Sequence, residues 1–272
     1  MQRRQQRPNA VTSQYRETGN LDARFALHQR FSTNRYGWQS WVFDQLRIPP
    51  GGSILELGCG PAYLWHENAD RTPAGWTTTL SDASIGMVSA ARQGLVTARG
   101  RFRYAVVDAQ SIPFSSARFD AVIANHMLYH VPDRPRALSE IRRVLRPGGC
   151  LYATTVGREH MRELTEMLGD AHPRLRCSTC VTAATFTLEN GAAQLAHWFP
   201  SVSLVRYEDG LLVDSAEPLV AYARSMLPEP VQPGALDCFS QFVEREIAER
   251  GAIQITKESG LFVACTSAAC AG

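Results

Sequence analysis

The run Glu56-Leu57-Gly58-Cys59-Gly60-Pro61-Ala62 is the first place where residue types and spacing offer chemistry. It follows a short apolar stretch and precedes a helical pattern. Side chains at Gly58 and Gly60 would block a tight turn and keep a nucleotide's sugar and tail away from the main chain. The helix that follows presents free N–H groups to the same ligand. Turns that hold a dinucleotide need a third glycine at the sixth position of G-x-G-x-x-G, where helix packs on strand, and here Tyr63 stands there. A nicotinamide-dependent dehydrogenase is therefore the disfavoured alternative.

Two further acids fall at the ends of the next apolar runs. Asp82 is placed to accept hydrogen bonds from a ribose diol, and Asp108-Ala109 to offer a carboxylate and a main-chain N–H to an adenine ring. One acid at each of three successive strand ends argues for a shared ligand more strongly than for separate helix caps. The segment Asn125-His126-Met127-Leu128-Tyr129-His130 follows the fourth run. His126 and His130, with His28 nearer the N-terminus, are candidate bases, and Tyr129 and Tyr15 are candidates to orient a substrate by hydrogen bonds.

These residues need a frame. Apolar runs at 54–57, 76–80, 102–107, 119–124 and 151–156 alternate with helical patterns, which predicts a parallel sheet covered by helices on both faces. The clearest helix spans 134–145, with Asp133 as its cap, Pro135 in its first turn and Pro147-Gly148-Gly149 as its stop. Helical patterns at 21–31 and 38–46 precede the sheet as a lid, and others at 159–168 and 188–199 follow it. The expected organisation is an arm and lid at 1–46, a cofactor-binding core at 47–157, a cap at 158–200 and completion of the sheet by 201–272. Within that last part a strand at 202–207, helices at 217–226 and 236–250, a hairpin around Lys257-Glu258-Ser259-Gly260 and a final strand at 261–265 are predicted.

The run Leu55 to Gly60, Asp82, Asp108-Ala109, Phe119-Asp120 and Leu145-Arg146-Pro147-Gly148-Gly149 resembles the successive motifs of class I, Rossmann-like S-adenosylmethionine-dependent methyltransferases. The resemblance covers about residues 50–157 and is nearest to the small-molecule branch that includes the ubiquinone and menaquinone C-methyltransferases. Ala62 departs from it, standing where many members have a third glycine. The resemblance implies an α/β fold with a seven-stranded, mostly parallel sheet whose last strand is antiparallel. It also implies that Glu56 and the Gly58-Cys59-Gly60 main chain hold the methionine part of S-adenosyl-L-methionine, Asp82 and Ala83 its ribose, and Asp108 and Ala109 its adenine. Asn125 and His126 would lie beneath the sulfonium, with Tyr63 and Trp65 nearby, while Asp120 supports the first motif from within.

The acceptor implied is a small, flat aromatic molecule. The sequence of the lid, 21–41, is similar to that of methyltransferases in natural-product pathways, including those that methylate an indole at C3. C-methylation of an indole-like or other electron-rich ring is the favoured expectation; O- or N-methylation of a phenol or amine, and a non-catalytic metabolite-binding protein, are the alternatives. Tyr15, Phe25, Phe31, Tyr36, Trp38 and Trp41 are the aromatic candidates for that pocket.

Composition narrows the partners. A formal net charge of +2 is too balanced for a nucleic-acid footprint, and the fourth strand end lacks the Pro-Pro-aromatic sequence of base-amine methyltransferases. No apolar run approaches the length of a membrane helix, so no integral membrane contact and a cytoplasmic location are expected. The seven cysteines lack a compact disulfide-like spacing, which predicts reduced thiols. Cys177 and Cys180, with His160 and His172 nearby, make an unpersuasive metal set, so no metal is expected. A homodimer is compatible with all of this.

Overall fold

A computed structural model describes residues 19–98, 100–175, 184–227 and 234–268. Seven strands form one sheet among these residues, in the order β3-β2-β1-β4-β5-β7-β6. They are β1 (Ser53–Leu57), β2 (Thr77–Asp82), β3 (Arg101–Val106), β4 (Phe119–Ala124), β5 (Leu145–Val156), β6 (Ser201–Val213) and β7 (Ile253–Cys265). The first five pair in parallel, and β7 runs antiparallel to both β5 and β6, as the resemblance implied. The central β1 and β4 are buried along almost their whole length because both faces are covered.

One face packs α5 (Arg134–Val144) and α7 (Gly191–Ala196) through Leu138, Ile141, Leu195 and Phe199. Asp133 caps α5 by accepting from the Arg136 N–H, and Pro135 sits in its first turn. The other face packs α2 (Trp38–Asp44), α3 (Tyr63–Glu67) and α4 (Ile85–Gly94) through Val42, Phe43, Trp65 and Ala91. A third core joins α1 (Gly19–Phe31), α6 (Arg162–Ala171), α8 (Ala216–Met226) and α9 (Ala235–Arg250) through Leu27, Leu164, Leu219 and Phe239. The stretch 158–200, expected as one cap, is thus divided. Its first half, α6, joins the lid core, while Phe186, Leu188 and α7 belong to the core beneath the sheet.

Two expectations are corrected at the C-terminal half. Lys257-Glu258-Ser259-Gly260 is no hairpin but the middle of β7, and β6 runs on to Val213. The chain reverses through α8 and α9 instead of a tight turn. Polar residues inside a strand mislead because Lys257 is neutralised by Asp209 directly across the ladder. At Gly260 a Cβ would lie 2.8 Å from the Val205 carbonyl oxygen, so this glycine serves close packing within the sheet. Pairing with β5 ends at Ser259, so residues 253–258 of β7 and 208–213 of β6 overrun the sheet at the carboxyl ends of its parallel strands. There they support the lid, with Leu211, Val213, Ile253 and Ile255 in its core.

The second correction concerns the thiols. Cys150 on β5 and Cys265 on β7 are directly paired and joined by a disulfide, with Cα atoms 4.1 Å apart. A separation of 115 residues hides that pairing from any spacing rule. Among the described residues Cys59 and Cys238 remain free thiols, and no helix is long and apolar enough to cross a membrane. Cys177 and Cys180 lie outside the described residues.

Candidate active site

The carboxyl ends of β1, β2, β3 and β4 open into a chamber of about 1720 Å³ roofed by α1, the start of α2 and the segment before α6. Single-ligand pockets usually measure ~300–1,000 Å³, so this one has room for a nucleoside and a second molecule together.

The turn after β1 is built for close approach. Gly58 and Gly60 take φ of +66° and +52°, and a Cβ on Gly58 would meet Met127 Cβ at 2.8 Å. Ala62 shares the left-handed conformation at φ 64° and leads into α3. Asp82 ties the turn in place: one carboxylate oxygen accepts from Gly60 N–H at 3.1 Å, the other from Ser84 N–H at 2.8 Å. Each oxygen keeps a lone pair for a ligand hydroxyl. Ala83 and Cys59 line the same chamber; burial pushes the Cys59 thiol well up, so it stays protonated.

Glu56 is buried, and its oxygens are oriented by Trp65 Nε1–H at 2.5 Å and Asn125 Nδ2–H at 3.4 Å. Burial raises its pKa to about 7 against the pull of those two donors. Burial also raises Asp82, against the main-chain N–H groups that favour its charge. Among the described residues neither acid has an ion-pair partner. Two desolvated, unpaired carboxylates beside a glycine cradle suit a ligand that brings an ammonium group and hydroxyls. Asp108 lies at the rim, bonded to the Gln110 main chain and amide, with Ala109 buried beside it. Asp120 points away from the chamber, accepting from Ser53 N–H at 2.8 Å and pairing with Arg146, which fixes β1 against β4.

After β4 the chain bends sharply. His126 has φ 47°, a strained value for a residue with a Cβ, held by its N–H donating to Thr154 Oγ1 at 2.9 Å while that hydroxyl bonds Asn125. The His126 ring lies 5.2 Å from Trp38 and 6.4 Å from Tyr129, and Tyr129 lies 4.5 Å from His130. His28 reaches in from α1, with Tyr222 edge-on at 5.6 Å and His160 at 6.1 Å. Burial lowers all four histidines, assisted by Lys257 at His28, His126 and His160 and by Arg24 at His130; His126 and His130 fall to about 4 and His160 to about 3. They are neutral at physiological pH.

The structure therefore brings Glu56, Gly58, Cys59, Gly60, Asp82, Ala83, Asp108, Ala109, Asn125, His126, Tyr129, His130 and His28 to one chamber. Tyr15 lies outside the described residues. Of the aromatic candidates, Phe25, Tyr36 and Trp38 line it, Phe31 is in the lid core and Trp41 packs against the sheet core. Tyr63 holds the lid down, stacking on Phe25 at 4.3 Å and bonding Asp22 through its hydroxyl. Among the described residues no group of three His, Cys, Asp or Glu is placed to hold a metal. Sequence reasoning missed Thr154, Lys257 and the position of His160 in the chamber wall. The one legible signal was that His160 follows the carboxyl end of β5 by a few residues, where open sheets place ligands.

The sheet order, the antiparallel last strand and the acids at three strand ends define a class I, Rossmann-like cofactor-binding fold. Residues 55–153 match the family described as methyltransferase domain. It is 32% identical over 142 residues to a demethylmenaquinone methyltransferase of Mycobacterium sp. strain JLS, covering 51% of this chain and 58% of that protein. It is 32% identical over 114 residues to a ubiquinone/menaquinone biosynthesis C-methyltransferase of Geotalea daltonii, covering 41% and 48%. A biotin biosynthesis bifunctional protein of Saccharophagus degradans matches at 27% over 235 residues, 82% of this chain and 40% of that one. The chain thus spans about half the length of the curated relatives it matches. Among solved structures, the [4+2]-cyclase SpnF superposes with a TM-score of 0.59 at 19% identity, covering 94% of both chains. An S-adenosylmethionine-dependent methyltransferase from Aquifex aeolicus gives 0.54 at 10% identity, covering 91% of this chain and 98% of that one. At such identities these likenesses concern the fold.

Proposed function

We propose that the chain transfers the methyl group of S-adenosylmethionine to a small, flat, electron-rich aromatic molecule, with C-methylation of an indole-like ring favoured over O- or N-methylation. The observation that carries this reading is the convergence of Glu56, Asp82 and Asp108 on a glycine-lined chamber large enough for two molecules. Bound there, the cofactor supplies an activated methyl on a sulfonium, and the protein's part is alignment and exclusion of water.

Asp82, with Ala83, holds the ribose hydroxyls, and Asp108 with the Ala109 N–H reads the adenine edge. Glu56 faces the amino group of the methionine tail, beside the main chain of Gly58, Cys59 and Gly60. Asn125 and the bent main chain at His126 border the transferring group. Trp38, stacked on Trp41, and Phe25, stacked on Tyr63, offer apolar walls, and the neutral His126, His130 or His28 is available to accept a proton from the acceptor, an effect typically worth ~10²–10⁴-fold. Tyr129 orients the acceptor from the β4 side.

Calorimetric titration with S-adenosylmethionine, S-adenosylhomocysteine and NAD tests the reading. The sulfur compounds are expected to bind and NAD not to. Each charge-assisted hydrogen bond lost is worth ~1.5–3 kcal/mol, so Asp82→Ala weakens binding at least about tenfold. Absence of binding by either sulfur compound, or a preference for NAD, overturns it.

A further inference from the structure

The half of the chamber away from Glu56 and Asp82 carries hydrogen-bonding capacity that the protein leaves unused. His28, on α1, and His160, just after β5, face each other with ring centroids 6.1 Å apart. The Nδ1 atoms of both are shut off from solvent without a hydrogen-bond partner. Leaving a buried polar atom unsatisfied is unfavourable, and two such atoms on neighbouring rings that line the chamber mark a place that a ligand completes. The main-chain carbonyl of Glu258 acts on the His160 ring and favours a proton there. With that proton on Nε2, the Nδ1 atom carries a lone pair and its missing partner is a donor.

The surroundings keep the pair neutral. Lys257 lies beside both rings and lowers both, with His126 adding to the effect; Arg24 acts on His28, and Asp209 partly opposes at His160. Lys257 is itself fixed, donating to Asp209 and to Ser32 Oγ at 3.3 Å. A cation held this close also keeps a second cation away, which disfavours a protonated amine as the group bound here. The walls beside the pair are Tyr222, edge-on to His28, and Met161, both lining the chamber.

We propose that His28 and His160 form the polar end of the acceptor subsite and bind the N–H or O–H of a neutral heteroaromatic or phenolic molecule. This rests on the methyl-transfer reading only in calling the bound molecule the acceptor. A hydrogen bond from that N–H or O–H to a neutral imidazole pushes electron density into the attached ring. His28 and His160 are thus positioning residues for a ring that reacts at another atom.

The test uses the full chain saturated with S-adenosylhomocysteine and two probe pairs, indole with 1-methylindole and 2-naphthol with 2-methoxynaphthalene, titrated by calorimetry. The donor of each pair is expected to bind at least about tenfold more tightly than its methylated partner, the scale of one hydrogen bond left unmade at a buried site. That ratio falls towards one in His160→Phe and in His28→Phe, and is largely restored in His160→Asn, whose amide occupies the place of Nδ1. Affinity for S-adenosylhomocysteine is unchanged in all three. A wild-type ratio near one, no binding of any probe, or a ratio that persists in both phenylalanine variants overturns the assignment. Failure of the methyl-transfer reading registers separately, as lack of S-adenosylhomocysteine binding, and the probe ratios are then read without it.

Discussion

At the scale of single residues, the site works by withholding solvent from acids and bases that would otherwise be ordinary. Glu56 is the clearest case: burial sets its pKa near 7 even though Trp65 and Asn125 both stabilise the charged form. If it faces the cofactor's ammonium, the ionised form is the binding form, and its population rises about tenfold between pH 6 and pH 8 for a group titrating near 7. S-adenosylhomocysteine affinity is therefore expected to rise several-fold over that interval in the wild type and to stay flat in Glu56→Gln, as titrations at each pH will show. The strained main chain at His126 has a different cause. Thr154 and Asn125 hold it through side-chain bonds, so a residue with a Cβ occupies a conformation that glycine would take freely.

At the scale of elements, the lid depends on the overrun of β6 and β7. The Lys257–Asp209 pair is buried there, with side-chain exposures of 6% and 0%. Burial pushes Asp209 up, but bonds from Lys257, Ser32 and the Asn34 N–H outweigh it and hold the carboxyl below its usual value; burial lowers Lys257 and the pair only partly restores it. Ser32 and Asn34 lie at the end of α1, so one carboxylate pins the lid helix to the sheet extension. Removing one partner of a buried pair typically costs ~3–5 kcal/mol because the other charge is left unpaired. Asp209→Ala is expected to lower stability by about that amount in urea unfolding. The double change Asp209→Leu with Lys257→Met is expected to recover most of it, which separates the pair's charge from its packing.

At the scale of the whole molecule, four neutral buried histidines make stability sensitive to acid. Their folded-state pKa values lie below the unfolded value, so the unfolded chain takes up protons first as pH falls below about 6.5. The stability they contribute is complete above that pH and is lost progressively down to about 4 for His126 and His130 and about 3 for His160. His126, His130 and His160 each lose on the order of 2 kcal/mol between pH 7 and pH 5, and His28 acts in the same direction. Glu56 acts in the opposite sense, since its raised pKa favours the folded state at low pH, but it is one group against four. Calorimetric melting is expected to show a steep fall in Tm from pH 7 to pH 5, made shallower by His130→Gln; a flat profile would mean that these rings are protonated in the folded state.

The sequence by itself determined the parts of this protein that depend on local order along the chain. The Gly58 to Gly60 turn, the acids at successive strand ends and the capped helix after Asp133 are each encoded within a few residues, because turns, caps and alternating apolar runs are short-range physics. The meeting of Glu56, Asp82 and Asp108 at one chamber was legible for the same reason. The tertiary structure alone decided what depends on residues far apart in the chain. It turned a polar run read as a hairpin into the middle of β7, since Lys257 meets a carboxylate 48 positions away. It joined Cys150 to Cys265 across a ladder that no spacing rule anticipates. It also set His28 against His160, 132 residues along the chain, through the packing of a lid helix over a strand end. Charge neutralisation, disulfide pairing and unsatisfied ring nitrogens are properties of neighbours in space, and only the folded chain supplies those neighbours.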